Sequence, residues 1–162
     1  MVFDTPIITH SSQETAAIGQ ELADYLVKVH SSQYTVHSRG QKKVASIVCL
    51  YGELGSGKTT FVQGFARGLG ITARLLSPTF VIVRRYHLRQ YFRFLYHIDC
   101  YRLSSAFEQK ALGLSEIFAD SNSVVAVEWA DTLGRLLPRK RIDVHFTVEN
   151  NESHRAKVQI IK

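Results

Sequence analysis

At 162 residues, 45% hydrophobic and 21% charged, the chain has the size and composition of one soluble globular domain with a real core. No apolar run approaches the ~20 residues of a membrane span, and "MVFDTPIITHSSQET" lacks the basic-then-apolar layout of a signal peptide, so a cytoplasmic setting is expected. The net charge of +6 favours an acidic partner, RNA or an acidic protein face, but lysines and arginines are dispersed and charge alone decides nothing.

In chain order, "THSSQETAAIGQELADYLVKV" opens with Ser11 as an N-cap and Glu14 three residues on. Ala17, Ile18, Leu22, Tyr25, Leu26 and Val29 then recur at helical spacing. "HSSQYTVHSRGQKK", residues 30–43, is polar and aperiodic, and reads as a flexible insertion loop in a single domain spanning 1–162. "VASIVCLY" is a β-branched apolar run suited to a central strand covered on both faces. A helix follows from Lys58 with Phe61, Val62, Phe65 and Leu69 along one side, and Gly70 stops it.

Residues 79–86 and 91–99 both read as strands, and the four residues between them are too few for a helical crossover. They should pair as an antiparallel hairpin, which makes the sheet mixed. "SVVAVEWAD" is another buried strand, followed by a short helical piece stopped at Pro138. The tail alternates apolar and polar residues about an Asn-Asn-Glu-Ser turn, a second hairpin. Cys49 and Cys100 lie in apolar runs and read as reduced core residues; the seven histidines lack metal-ligand spacing, so no zinc site is indicated.

The stretch that carries chemistry is Gly52-x4-Gly57-Lys58-Thr59, with a strand before it and a helix after it. Glycines permit the left-handed turns that bring backbone N–H groups to phosphate oxygens, and the helix start adds unpaired N–H groups and partial positive charge. Lys58 supplies a point charge to the outer phosphates, and Thr59 a hydroxyl ligand to Mg²⁺. A phosphoryl-transfer site also needs acids at neighbouring strand ends. Asp99 in "FLYHIDCYRL" and Glu128 in "VVAVEWAD" each close an apolar run. Which of them positions water stays open at this stage. Thr79 in "SPTF" is a third candidate, either a sensor of the γ-phosphate or a turn residue after Pro78.

Together, "GELGSGKTTFVQGFARGLG", "SPTFVIVRRY", "HIDCYRL" and "VEWAD", in this order between about residues 47 and 131, resemble the TsaE (YjeE) family of small bacterial ATPases, which support threonylcarbamoyladenosine modification of tRNA. The resemblance implies a P-loop NTPase-like, three-layer α/β domain with a mixed central sheet. It implies binding of ATP and Mg²⁺, slow hydrolysis, and docking on a TsaB–TsaD type complex, with tRNA engaged indirectly. Carried over by motif, Gly52, Glu53, Leu54, Gly55, Ser56, Gly57, Lys58, Thr59 and Thr60 hold the phosphates. Thr59 and Glu128 serve the metal, Asp99 stands near the γ-phosphate, and Thr79 lies in a switch-like segment. Trp129 shares the motif of Glu128, with a packing role an equal alternative. Ser12 and Arg155 are the nearest positions to the family's base contacts. The 30–43 stretch and the "HLRQYFRF" turn look long for the family, which bears on partner docking.

A small-molecule kinase on the same fold is the main rival, but its lid would have to come from "RLSSAFEQKALGLSEIFADSNS", which offers only Arg102. A GTPase would use Asp131-Thr-Leu-Gly134 as its DxxG, yet no Asn-Lys-x-Asp guanine reader exists in the chain. "RRYHLRQYFRF" interleaves arginine with aromatics, so direct tRNA contact is a minor further expectation.

Overall fold

The computed structural model describes residues 5–35, 45–73, 75, 82–103, 112–150 and 153–161. Seven strands form one sheet: β1 (Ile7–Thr9), β2 (Ser46–Tyr51), β3 (Val83–His87), β4 (Phe94–Asp99), β5 (Ser123–Glu128), β6 (Arg141–Asn150) and β7 (Ser153–Ile161), in the order β1-β7-β6-β2-β5-β4-β3. The centre is parallel, with β2 flanked by β5 and β6, and β4 beside β5. Both margins are antiparallel: β3 pairs with β4, and β7 with β6 and β1. The mixed sheet and both hairpins stand as the turn spacing predicts. Strand β1 does not follow from the sequence; three residues are too short to show a period, and it exists because β7 presents an open edge.

One face of the sheet carries α1 (Ser12–Thr35) and α2 (Lys58–Gly68). Val48 and Leu50 of β2, Leu22 and Leu26 of α1, and Phe61 and Phe65 of α2 share one apolar cluster there. The other face carries α3 (Leu114–Ala119) and the 3-10 segment Ala130–Leu136, around Ile47, Cys49, Ile98, Val125 and Val127. Both faces of the central strands are therefore dry, which is why they read as unbroken apolar runs.

Helices α1 and α2 approach closely because glycine lines the contact. A Cβ on Gly64 would stand 1.8 Å from the Ala16 carbonyl oxygen, and one on Gly19 2.2 Å from that of Phe61. At the start of α1 the Glu14 N–H donates to Ser11 Oγ, and the Glu14 carboxylate accepts from the His10 N–H, close to the reciprocal cap expected.

Helix α1 runs on to Thr35, so residues 30–35 of the expected loop are helical. Nothing in that stretch breaks a helix, and the Ser31 and Ser32 hydroxyls fold back onto the carbonyls of Val27 and Lys28. Residues 36–43 of that expectation, and Thr79, lie outside the described residues. Among the described residues no helix is long and apolar enough to cross a membrane.

Candidate functional site

The loop from Gly52 to Gly57 leaves the carboxyl end of β2 and turns back into α2. Gly52, at φ 137°, packs against the Phe146 carbonyl where a Cβ would lie 2.5 Å from its oxygen; Gly57, at φ 101°, is the N-cap of α2. Both conformations belong to glycine. The exposed N–H groups of α2's first turn thus open on the carboxyl ends of β4 and β5.

Those ends hold the two acids. Asp99 and Glu128 are direct register partners across β4 and β5, and Leu50 of β2 is the next residue across from Glu128. Parallel pairing makes this automatic: two strands that end in register deliver their last side chains side by side. Both carboxylates are buried. Glu128 Oε2 accepts from the Thr59 hydroxyl at 2.8 Å, and Glu128 Oε1 lies 2.7 Å from His97 Nε2. Asp99 Oδ1 accepts from the Tyr101 N–H at 3.0 Å.

Lys58 is buried, and its Nζ donates to the carbonyls of Gly52 (2.8 Å) and Glu53 (2.7 Å), with Ser56 Oγ more distant at 3.4 Å. Two of the three ammonium hydrogens are well bound; the third has only a weak partner. Nζ also stands 4.0 Å from the centre of the Trp129 ring, which itself lies 4.9 Å from Tyr101. Trp129 sits in the left-handed region at φ 57°, a conformation disfavoured by roughly 1–2 kcal/mol for an L-residue. That sharp turn after Glu128 is what brings the indole to the ammonium. Burial pulls the Lys58 ammonium below the usual lysine value, while Glu128, Asp99 and Asp131 push it back up.

A cleft of about 270 Å³ is lined by Leu54, Gly55, Ser56, Gly57, Lys58, Thr59, Thr60, Asp99, Tyr101, Glu128 and Trp129. A second, of about 460 Å³, shares Gly55, Gly57 and Thr60 with it and is lined on its far side by His10, Ser11, Ser12, Thr15 and His154. The structure therefore brings together Leu54 to Thr60 of the phosphate loop, both acids and, across the second cleft, Ser12, while Gly52 and Glu53 line neither cleft and offer their carbonyls to Lys58. Arg155 is not brought there. Its neighbour His154 lines the cleft, and strand alternation sends residue 155 to the opposite face, where it forms an ion pair with Glu149 at 2.6 Å.

His97 is the residue the sequence reasoning missed. It is fully buried, Nε2 holds Glu128, and Nδ1 has no hydrogen-bond partner among the described residues. With Glu128 ionised, Nε2 carries the proton and donates it. The signal was present in "HID": residues 97 and 99 are two apart on one strand and so share a face.

Comparison with known proteins gives a consistent result. The family described as "Threonylcarbamoyl adenosine biosynthesis protein TsaE" matches residues 9–157. The chain is 43% identical over 102 residues to the tRNA threonylcarbamoyladenosine biosynthesis protein TsaE of Bacillus subtilis, a match covering 63% of this chain and 61% of that relative. It is 31% identical over 128 residues to the protein of the same name from Haemophilus influenzae, covering 79% and 72%. The crystal structure of Bacillus subtilis YdiB superposes with a TM-score of 0.71 at 27% identity, over 98% of this chain and 86% of that one. The architecture is thus the P-loop NTPase-like α/β fold with a mixed seven-stranded sheet.

Proposed function

The chain belongs to the TsaE family of tRNA threonylcarbamoyladenosine biosynthesis, and from that premise we propose that it is a Mg²⁺-dependent ATPase acting on a TsaB–TsaD type complex. One observation carries the reading: a buried lysine in a glycine loop faces two buried carboxylates that strand register sets side by side. Phosphoryl transfer needs little else from a protein, since catalysis there is positioning and charge stabilisation.

In this reading the N–H groups at the start of α2 and the third hydrogen of Lys58 Nζ take the phosphate oxygens. The Trp129 ring and the Gly52 and Glu53 carbonyls hold the ammonium in place. The nucleoside extends past Gly55, Gly57 and Thr60 into the second cleft, toward Ser12 and His154.

Thr59 Oγ1 and Glu128 Oε2, hard oxygen donors 2.8 Å apart beside the loop, fit Mg²⁺. When bound, the ion would neutralise charge developing on the phosphate oxygens. Glu128 has one oxygen on Thr59 and the other on His97, and Asp99 borders the same cleft, so both carboxylates stand where a water would be oriented. No arginine lines the cleft among the described residues, so intrinsic turnover is slow and a partner completes the site.

The test is ATP hydrolysis measured with a TsaB–TsaD type complex present. Asp99→Ala and Glu128→Ala should each lose about a hundredfold or more in turnover while still binding nucleotide. Wild-type rates in both variants would overturn the scheme. Turnover that rises only when a small acceptor is added would favour the kinase reading.

A further inference from the structure

The hairpin β3–β4 lies at the opposite margin of the sheet from β1, and its outer strand β3 is an edge. Between Glu53 and Asp99 the chain holds no acidic residue at all, while it carries Lys58, Arg67, Arg74, Arg84, Arg85, Arg89 and Arg93. Four of these seven fall in the hairpin.

The geometry concentrates that charge. The Arg85 guanidinium lies 4.7 Å and the Arg93 guanidinium 4.9 Å from the centre of the Phe94 ring, and the His87 imidazole meets the same ring at 4.7 Å. Arg85, His87, Arg89, Tyr91 and Arg93 are exposed, whereas Phe94 is buried beneath Arg85, His87 and Arg93. Among the described residues none of these arginines has a carboxylate within ion-pair distance. Tyr91, at the turn, is 57% exposed and held in the left-handed region at φ 57°, which stands its ring out from the protein.

Edge strands often carry a cation to prevent sheet-to-sheet pairing, and a single lysine suffices for that. Two guanidiniums and an imidazole gathered on one ring go further. The two guanidiniums repel one another, so the arrangement is favourable in proportion to the anion it meets. Guanidiniums laid over an aromatic ring keep their N–H edges free and pre-organised for phosphate oxygens. A neighbouring exposed tyrosine offers a face on which an unpaired base stacks. An acidic protein face would use the charge and leave the ring idle.

We propose that the β3–β4 hairpin is an RNA-binding element, in which Arg85 and Arg93 take backbone phosphates and Tyr91 stacks on an unpaired base. The proposal does not depend on nucleotide chemistry at the loop.

The test is the anisotropy of a labelled, unmodified tRNA transcript titrated with the whole chain at several salt concentrations, beside polyglutamate as competitor. Wild type should bind with affinity falling steeply as salt rises. Arg85→Gln/Arg93→Gln should bind about tenfold or more weakly at low salt, with the slope of log K against log salt flatter by about two. Tyr91→Ala should weaken binding of a short oligouridylate about fivefold or more. Thermal melts matching wild type show that both variants fold, and unchanged binding of a fluorescent ATP analogue separates this result from the ATPase reading. Equal RNA affinity in wild type and the arginine variant overturns the proposal. So does the absence of RNA binding, or displacement of the RNA by polyglutamate at equal charge, which would assign the hairpin to an acidic protein.

Discussion

Lys58 is buried, with its Nζ bonded to two backbone carbonyls and set over an indole, whereas Arg85 and Arg93 lie exposed over Phe94 and form no ion pair among the described residues. The charge is the same; the surroundings are opposite. Around Lys58 the protein supplies partial negative charge and excludes water, so a phosphate arriving there meets a fixed donor in a low dielectric. At the hairpin water and salt compete for every guanidinium, and affinity arises only when several contacts form together. On the two readings proposed above, one region suits a compact, highly charged small molecule and the other an extended polyanion.

The strongest way to break that comparison is to remove one region and watch the other. Lys58→Ala should weaken binding of a fluorescent ATP analogue about a hundredfold, because a desolvated charge-assisted contact is lost with its Coulombic partner. It should leave tRNA affinity and its salt slope unchanged. A parallel loss of RNA binding in Lys58→Ala would mean that the loop and the hairpin are one surface rather than two.

A smaller effect sharpens the loop side alone. His97 holds Glu128 from beneath, so His97→Leu should raise the Mg²⁺ concentration for half-maximal ATPase about tenfold, as loss of a partner behind a ligand typically does. His97→Gln, whose amide N–H can occupy the place of Nε2, should recover most of it. A purely structural histidine would lower thermal stability in both variants and leave the Mg²⁺ midpoint where it was. This prediction rests on the ATPase reading, and thermal melts without nucleotide distinguish the two failures.

The same contrast explains what could be read from the residues alone. The loop was legible because its constraints are local: glycine at Gly52 and Gly57, Lys58 and Thr59 at fixed spacing, strand before and helix after. The acids were legible because a parallel strand covered on both faces is apolar until its end, where Asp99 and Glu128 stand out. His97 was harder to see: its spacing from Asp99 places the two on one face, but a buried polar residue inside an apolar run gives no period of its own, and its partner is 31 residues away in the chain. Arg155 lies off the cleft that His154 lines for a related reason: a hairpin's register decides which of two adjacent residues faces a cleft, and a one-residue difference reverses the face. Helix α1 outran its apolar stripe because residues 30–35 hold no glycine or proline to stop it, and a polar run without a period does not by itself mark a loop.

The smallest effect on either ligand should come from the helix pair behind the loop. Gly64→Ala places a methyl carbon within 1.8 Å of the Ala16 carbonyl oxygen, so α1 and α2 must separate before both helices can pack on β2. Backbone rather than a flexible side chain is in the way, and overpacking of this kind costs about 1–3 kcal/mol of folding stability. Denaturant unfolding should show that loss as a lower midpoint. Cys49 adds a site-specific readout, because burial pushes its thiol up to about 12 and leaves almost no thiolate near neutral pH. Its alkylation should follow global opening and speed up in Gly64→Ala by the factor that the stability loss implies. Since α2 carries Lys58 and Thr59 at its first turn, whereas the hairpin meets α1 near its far end, where Phe92 packs on His30, ATP affinity should fall slightly in the variant and RNA affinity less. An equal fall in both would show that the helix pair supports the sheet as a whole, and that the two cationic regions are coupled through it.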